Sequence, residues 1–346
     1  MRHDTEDSVV VRGGYERLPD GNVLTALLQI FLSAVLFGVS FVYQRYAMLR
    51  GVGPITFNAC RFPISTLLTL AVQYFLRLKS SPVAPLARIY TAETWKWGMI
   101  CGFFVFGGSV LQQVGLQTVQ AAKMSFITGS YVIFVPIVEW FIPGFGLKLD
   151  YHIWLSAIVS IIGMYFLSGC AGTGDCFSSE DSLFMSGETM IVISMLFWVV
   201  VILTTDVASK KVDCLSLAVV EDLVTSIFTI IAAIAFEPEM LVYPYTVIRG
   251  SWDLILIVAA VEGGAVVFGI LGQVHINPSV TALISSSASV YCAVGGYFFL
   301  HELLRPVEIL GCVLILIATI YASCQIKIDE PLALAGSKIS YTSIEI

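Results

Sequence analysis

Long uninterrupted apolar runs are the feature that most restricts how this chain can fold. A helix needs about 20 mostly apolar residues to cross the hydrocarbon core of a bilayer, and ten runs of about this length follow one another along the 346 residues. A membrane barrel would show alternating segments of about ten residues instead. Because these runs are continuous, they predict an all-α integral membrane protein with ten transmembrane helices. The predicted spans are 23–43, 54–76, 97–115, 120–142, 152–169, 187–205, 214–236, 252–273, 278–300 and 307–325.

One segment recurs near the end of the chain. Residues 115–143 align without a gap with residues 272–300, so that Gly115 corresponds to Gly272. Each copy holds the fourth span of a set of five. Since five is odd, the second set enters the membrane from the opposite side, and we expect two inverted five-helix repeats with a binding site between them, as in many secondary transporters. The expected divisions are a tail at 1–22, a first repeat at 23–169, a loop at 170–186, a second repeat at 187–325 and a tail at 326–346.

The basic residues predict the orientation. With the N-terminus in the cytosol, twelve Lys and Arg residues fall on the cytosolic side and only Arg50, Arg249 and Arg305 fall clearly outside, as the positive-inside rule requires. Both tails are then cytosolic, and the loop at 170–186 is extracellular or lumenal. The tail segments 15–18 and 341–344 look like tyrosine-based sorting signals, which favours the plasma membrane or an endosomal or vacuolar membrane.

The loop also contains Cys170 and Cys176. A disulfide between them is compatible with an oxidising compartment, but spacing does not define its geometry, so the bonded and free states both stay open. The remaining cysteines have no metal-ligand spacing. We expect no metal, cofactor or nucleic acid. The expected partners are the lipid bilayer and a small-molecule solute, with protons as a candidate coupling ion and the oligomeric state undetermined.

Two charged residues are candidates for contact with the solute. Glu262 lies near the middle of span eight, about 15 Å from either end at 1.5 Å per residue. A carboxyl group at this depth is costly unless it faces a wet cavity or a partner, so it is a candidate for binding a cation or carrying a proton, the alternative being a protonated Glu bonded between helices. Lys123, near the outer end of span four, is a candidate for a substrate carboxylate, or else extends to the interface.

Three further charges receive a structural interpretation. Arg61 lies about eight residues into span two, and Glu221 and Asp222 lie equally far into span seven. Because inverted repeats measure these depths from opposite faces, we expect the two groups to pair locally without touching and to lock their helices, the alternative being a role as a gate. Pro136 bends span four, and since its counterpart in span nine is Ala293, the bend is expected in one repeat only.

The chain resembles the drug/metabolite transporter superfamily, most closely its EamA-like ten-helix members. The resemblance covers nearly all ten spans and rests on short motifs in order. They are the proline-to-Arg-Phe helix at 54–62, the fourth helix at 115–118 and 121–127 with Pro136, and the closing helices at 282–284, 300–302 and Gly311. Two departures stand out: Phe145 occupies the position paired with Glu302, and Ala293 replaces the family proline of span nine.

The resemblance implies alternating-access transport of a small organic solute through a cavity lined by helices one, three, four, six, eight and nine. Polar and aromatic side chains on these helices are the candidate lining. They are Ser40, Tyr43, Gln44, Ser109, Gln112, Gln113, Thr128, Tyr131, Trp198, Ser285, Ser286 and Ser289. Ser and Thr also join membrane helices to one another, which is the alternative for each of them.

An enzyme is not expected, because no Ser-His-Asp set, metal cluster or nucleotide loop is found and the four histidines lie in the tail or at span ends. The leading hypothesis is a secondary active transporter for an amino acid, amine or similar polar metabolite. Phosphorylated solutes are disfavoured because span nine lacks the Lys and Arg with which related carriers hold phosphate. The alternative is a receptor or scaffold that kept the carrier fold without transport.

Overall fold

The computed structural model describes residues 23–79, 90–141, 151–167, 187–239, 250–299 and 305–324. The two predicted tails, the loop with Cys170 and Cys176, and the paired positions Phe145 and Glu302 lie outside these residues. Within them the chain forms twelve helices. They are α1 Val23–Leu49, α2 Pro54–Lys79, α3 Ala92–Gly115, α4 Ala121–Gly129, α5 Tyr131–Phe141, α6 Tyr151–Leu167, α7 Gly187–Ser209, α8 Cys214–Phe236, α9 Trp252–Gln273, α10 Pro278–Ser286, α11 Ala288–Phe299 and α12 Pro306–Cys324.

Most of the helices are suited to a bilayer by length and composition. Eight helical stretches of the described chain are long and apolar enough to cross a membrane, counting α4 with α5 and α10 with α11 as one stretch each. The apolar helices at Tyr151–Phe166 and Pro306–Ala322 are shorter. These ten segments coincide with the ten predicted runs. The chain is an integral, multi-pass membrane protein, and the all-α prediction is confirmed for the part that the structure describes.

The outer and inner surfaces of the helices differ in the way that a bilayer requires. Large apolar side chains such as Leu67, Phe75 and Trp140 are exposed, whereas Asn58 and Gln113 are completely buried. Lipid tails are as apolar as a protein core, so apolar side chains gain little by moving inward, and polar side chains find their partners between helices. The polar groups therefore collect at the helix contacts and around the cavity that these contacts enclose.

The two halves of the chain repeat the same helix contacts. The helix α1 packs on α9, and the counterpart of α1, α7, packs on the counterpart of α9, α3. The corresponding helices α2 and α8 pack on each other, and so do the corresponding helices α6 and α12. The hydroxyl of Ser33 donates to the carbonyl of Ala265 at 2.7 Å, and the hydroxyl of Ser194 donates to the carbonyl of Gly108 at the same distance. One hydrogen bond joins α1 to α9 and the other joins α7 to α3. Corresponding helices thus meet through corresponding groups.

The repeated glycines Gly115 and Gly272 have matching surroundings. A Cβ atom on Gly115 would lie 2.6 Å from the carbonyl oxygen of Gly187, and one on Gly272 would lie 2.9 Å from that of Ala26. Both carbonyls belong to the first turn of a neighbouring helix. Because only glycine allows two backbones to come this close, these positions fix how α3 meets α7 and how α9 meets α1.

Spans four and nine are both interrupted, and the interruptions correspond. The first lies at Ser130 between α4 and α5, and the second lies at Ser287 between α10 and α11. Each Ser has nearly the same backbone angles, and its amide bonds to the carbonyl three residues earlier, at Ile127 or Ile284. The prediction of a bend in one repeat only is wrong. Since the second copy has Ala293 at the position of Pro136, the tight turn at each Ser accounts for the interruption in both.

Helix ends that are predicted to share a membrane face meet in the structure. Arg50, directly after α1, forms an ion pair with Asp253 in the first turn of α9 at 3.1 Å. Glu237, directly after α8, accepts hydrogen bonds from the amides of Ile55 and Thr56 at the start of α2, at 3.0 and 2.8 Å. In each case the end of one helix meets the beginning of another. Both pairs of helices therefore run antiparallel.

Candidate functional site

A cavity of about 160 Å³ lies between the two halves, lined by side chains from α1 to α5 and from α7 to α11. It brings together most of the residues that the sequence singles out. The predicted residues that line it are Gln44, Ser109, Gln112, Thr128, Tyr131, Trp198, Glu262, Ser285, Ser286 and Ser289, together with the three charges that were given a structural interpretation, Arg61, Glu221 and Asp222. Four charged side chains thus share one space.

Arg61 and Glu262 form a buried ion pair across this cavity. Arg61 Nη1 contacts Glu262 Oε2, and only 4% and 11% of the two side chains is exposed. On the other carboxylate oxygen, Glu262 accepts hydrogen bonds from Ser40 at 3.0 Å and from Gln44 at 2.5 Å. Both oxygens of Glu262 therefore have partners, and its charge is compensated within the protein.

Arg61 is fixed in place by its own helix. Its Nε donates to Asn58 Oδ1 at 2.8 Å, one turn earlier on α2, and its guanidinium lies 4.3 Å from the ring centre of Phe62. Stacking on a ring and a planar fork of donors suit an arginine that must hold a carboxylate inside a protein. The local contact with Asn58 agrees with the expectation of local pairing, but the ion pair with Glu262 joins α2 to α9.

Arg61 and the acidic pair of span seven line the same cavity. Within the described residues the ion pair of Arg61 is with Glu262 and not with Glu221 or Asp222, which agrees with the expectation that the two groups do not touch. The helices α2 and α8 nevertheless pack together, and Ser65 and Thr69 of α2 both donate to Asp222 Oδ2 at 3.1 Å. Two groups that enter a thin bilayer from opposite faces come to similar depths near its middle, so both can face one cavity.

Glu221 occupies the neighbouring part of the wall. It is 4% exposed, and its Oε2 has no hydrogen-bond partner within the described structure. The close packing of α3 on α8 positions it: a Cβ atom on Gly102 would lie only 2.8 Å from the Glu221 carbonyl oxygen. The small residue at 102 therefore lets α3 cover Glu221 and separate it from lipid.

The rest of the lining is uncharged and combines aliphatic, aromatic and polar side chains. The Trp198 indole donates to Gln112 Oε1 at 2.8 Å, and the Gln112 amide nitrogen lies 3.2 Å from the Met124 sulfur. Tyr131 of α5 and Ser285 of α10 line the same cavity. The hydrogen bond to Gln112 holds the Trp198 ring in a fixed orientation near the charged groups, so the cavity has a defined shape as well as a defined charge.

Four predicted residues, Ser40, Tyr43, Gln113 and Lys123, do not line the cavity, and Ser40 instead bonds to Glu262. Lys123 forms an ion pair with Glu188, at 3.1 Å, between the first turns of α4 and α7. The ring of Tyr43 packs on that of Phe299 at 5.3 Å between centres. Gln113 is completely buried, and both polar atoms of its amide lack a hydrogen-bond partner in the described chain.

Sequence reasoning also missed part of the lining. Ser65, Thr205 and Gln273 face the cavity but were not singled out. Ser65 lies four residues after Arg61, and residues at this spacing share a helix face, so the signal was present. Thr205 and Gln273 lie at or near helix ends, where polar residues are too common to indicate a site. Within the described residues, no group of three or more His, Cys, Asp or Glu could hold a metal ion.

An all-helical, multi-pass membrane protein whose two halves enclose a polar, charged cavity has the construction of a membrane transporter. The model of the EamA-like transporter family matches residues 24–169 and again residues 185–324. The chain belongs to the EamA-like transporter family, and the resemblance found in the sequence is confirmed. As a member it has a small-molecule solute and the lipid bilayer as partners.

Two individual proteins resemble this chain over most of its length. An uncharacterized transporter of Archaeoglobus fulgidus is 27% identical over 309 residues, which cover 88% of this chain and 87% of the relative. A solved crystal structure, described only as that of a protein, is 16% identical with a TM-score of 0.65 and covers 86% of this chain and 98% of its own. The second similarity concerns the fold alone.

Proposed function

We propose that this protein is a secondary active transporter that moves a small polar organic solute, such as an amino acid or an amine, by alternating access. The single observation that carries the proposal is the cavity itself, in which Arg61, Glu262 and Asp222 face a common space between the two halves. Ionisable residues are rare inside a membrane and, where they occur, mark pathways for solutes and ions. A carrier needs such a site, whereas a scaffold has no use for it.

The helix arrangement supports a mechanism with two exchangeable halves. We propose ten transmembrane helices in two inverted five-helix repeats, with the cavity on the pseudo-twofold axis between them. The matched contacts of Ser33 and Ser194 and of Gly115 and Gly272 support this arrangement. Because the contacts of the two halves are nearly equivalent, one half can adopt the packing of the other, and access then passes from one face of the membrane to the other.

The dimensions and lining of the cavity favour a small solute. About 160 Å³ is less than the roughly 300–1,000 Å³ of pockets that hold drug-sized ligands. Hydroxyl and amide groups from Gln112, Thr128 and Ser285 can hydrogen-bond a polar metabolite, and Trp198 and Tyr131 can cover its apolar part. An amino acid or amine of modest size matches this combination.

Proton coupling is proposed through Glu262. Its carboxylate is held by Arg61, Ser40 and Gln44, so a proton on it would neutralise the acidic partner and release the guanidinium. The helices α2 and α9 would then lose the ion pair between them. Protonation of Glu262 would in this way be coupled to a rearrangement of the two halves.

Solute flux into proteoliposomes tests the proposal. Purified protein is reconstituted and its counterflow of radiolabelled amino acids and amines is measured, with and without a pH gradient. We expect flux of at least one solute, and Glu262→Gln should reduce it about tenfold or more, equivalent to about 1.4 kcal/mol, with loss of the pH-gradient effect. Asp253→Asn, on the same helix but exposed at its outer end, is the matched control and should transport normally.

The alternative is a receptor or scaffold with the carrier fold. It predicts no flux of any solute by protein that is folded, monodisperse and correctly inserted. Binding of a solute without flux would favour a receptor. Flux that is identical in wild type and Glu262→Gln at every pH would support transport but contradict the proposed role of Glu262 in proton coupling.

A further inference from the structure

The charges of the cavity do not balance. Among the described residues that line it, Arg61 is the one cationic side chain, whereas Glu221, Asp222 and Glu262 are acidic. One guanidinium therefore faces three carboxyl groups. A membrane protein has a strong reason to compensate buried charge, because uncompensated ionisable groups are costly in hydrocarbon. The excess of acidic groups indicates that something else is bound there during function.

Glu262 is not where the missing positive charge can bind. Its two oxygens are occupied by Arg61 on one side and by Ser40 and Gln44 on the other. A solute cation at Glu262 would have to displace a buried guanidinium, and breaking a buried ion pair by removing one partner is strongly destabilising. The Arg61–Glu262 pair thus forms a closed unit within the wall.

Glu221 and Asp222 have the unused capacity. Glu221 is 4% exposed and lines the cavity, yet its Oε2 has no hydrogen-bond partner among the described residues. Asp222 is 1% exposed and accepts hydrogen bonds from Ser65 and Thr69, both on the same oxygen, Oδ2. Consecutive residues on α8 therefore present two carboxyl groups to the cavity, and one of them carries a buried oxygen without a donor.

We propose that Glu221 and Asp222 form the cation subsite of this cavity and bind the protonated amino group of the solute. An ammonium has three N–H donors and no acceptor, so it can satisfy the open oxygen of Glu221 and bond to Asp222 at the same time. Charge-assisted hydrogen bonds of this kind are stronger than neutral ones. The inference rests on the proposed function in one respect, namely that the bound ammonium belongs to a transported solute. Binding of an ammonium at this site can be tested without transport.

An organic ammonium fits the site better than an inorganic ion. The hydroxyls of Ser65 and Thr69 both donate to Asp222 Oδ2, so this oxygen is already hydrogen-bonded within the protein. Within the described residues no third carboxylate, Cys or His joins the pair to complete a metal site. The indole of Trp198 lines the same cavity, and aromatic faces attract ammonium groups.

Thermal stabilisation of the full chain in nanodiscs tests this assignment. The two probes are serinol, a small diol with a protonated amino group, and glycerol, in which a hydroxyl replaces that group. We expect serinol to raise the melting temperature of the wild type in a saturable way, and glycerol at equal concentration to produce no saturable shift. Glu221→Gln and Asp222→Asn should each weaken serinol binding about tenfold or more, the effect of about 1.4 kcal/mol.

The matched control is Glu139→Gln. Glu139 is 4% exposed, as Glu221 is, and one of its oxygens likewise lacks a partner, but it lies outside the lining of the cavity. The same substitution there should leave serinol binding unchanged. Glu221→Asp keeps the charge and should retain measurable binding, so a loss in Glu221→Gln that Glu221→Asp repairs excludes general misfolding.

Three results would overturn the assignment. They are serinol binding by Glu221→Gln and Asp222→Asn at wild-type affinity, no saturable serinol binding by folded wild type, and a saturable stabilisation by sodium chloride alone that requires Glu221. Failure of the proposed function looks different. Glu221-dependent serinol binding without flux of any solute would support the cation subsite and contradict the proposed transport function. Flux of a solute without Glu221-dependent amine binding would support transport and contradict the subsite.

Discussion

Arg61 holds the charged part of the cavity together, because it contacts Glu262 and lies in the field of Asp222 while Asn58 and Phe62 fix its position. An arginine in such a place serves two carboxyl groups on different helices. Its removal leaves buried acidic groups without compensation, which is among the more damaging changes that a single substitution makes. A double variant in which both Arg61 and Glu262 are replaced by neutral residues removes the ion pair and leaves neither of its charges uncompensated.

We therefore expect Arg61→Gln to lower the free energy of unfolding by about 3 kcal/mol, the lower end of the range for breaking a buried pair. Arg61→Gln combined with Glu262→Gln should recover most of this loss, since no unpaired charge remains. Thermal denaturation of the four proteins gives the coupling between the two residues as a double-mutant cycle. Additive effects of the two substitutions would show that the pair contributes nothing as a unit.

Lys123 offers a contrasting residue-scale prediction. Its ammonium contacts Glu188, and its side chain is 18% exposed, so we expect Lys123→Ala to cost about 1 kcal/mol or less. Flux should stay within about twofold of the wild type, a difference below about 0.5 kcal/mol. Proteoliposome uptake of an amino acid measures this directly, and a collapse of uptake with normal stability would restore the role of receiving a substrate carboxylate.

The meeting of Arg61, Glu262 and Asp222 could have been inferred from depth. Arg61 and Asp222 each lie about eight residues inside their spans, about 12 Å at 1.5 Å per residue. With a hydrocarbon thickness of about 30 Å, entry from opposite faces leaves them about 6 Å apart in depth. Depth was available from the sequence, but which helices are neighbours was not, because that depends on packing between segments far apart along the chain.

At the scale of elements, the interruptions at Ser130 and Ser287 divide spans four and nine at corresponding places. Such divided helices expose backbone groups in many transporters, near the middle of the membrane. Here Thr128 and Ser285 come just before the interruptions, and both line the cavity. The interruptions thus bring the polar ends of α4 and α10 to the site.

Since the second interruption forms without a proline, we expect Pro136→Ala to leave the first one in place. The local helix should form as well or better with alanine, which has the higher helix propensity. Flux should remain within about twofold of the wild type, or about 0.5 kcal/mol in the barrier. Uptake in proteoliposomes is the measurement, and loss of most of the uptake by a stable Pro136→Ala protein would show that the proline maintains the turn.

The close approach of α9 to α1 gives a second element-scale prediction. Gly272→Ala places a Cβ 2.5 Å from Ile30 Cγ1 and 2.9 Å from the Ala26 carbonyl oxygen, so it should destabilise the protein by about 1–3 kcal/mol through overpacking. Gly264→Ala, on the same helix, meets only Leu36 Cδ1 at 3.6 Å and is the matched control. Melting temperatures of the two variants should differ clearly, and equal values would contradict the proposed packing.

At the scale of the whole molecule, the proposed inversion requires an even number of crossings and a definite orientation. The twelve-to-three distribution of basic residues predicts that both tails lie in the cytosol and the loop at 170–186 on the opposite side. We expect reporters fused to either terminus to be active in the cytosol and an acceptor site for glycosylation inserted into the loop to be modified. A reporter found on the lumenal face would show that the topology is reversed or that the number of spans differs from ten.

The sequence by itself determined that this is a membrane protein of helices, where those helices lie, to which family it belongs and which charges lie deep in the bilayer. These properties follow from local apolar length, from the composition of single segments and from the internal repeat. The tertiary structure alone decided that Glu262 is engaged by Arg61, that Lys123 pairs with Glu188, and that Glu221 keeps an open oxygen in the cavity. The physical reason is that the pairing of these side chains depends on how helices that are far apart along the chain pack together, at glycines such as Gly102 and Gly272.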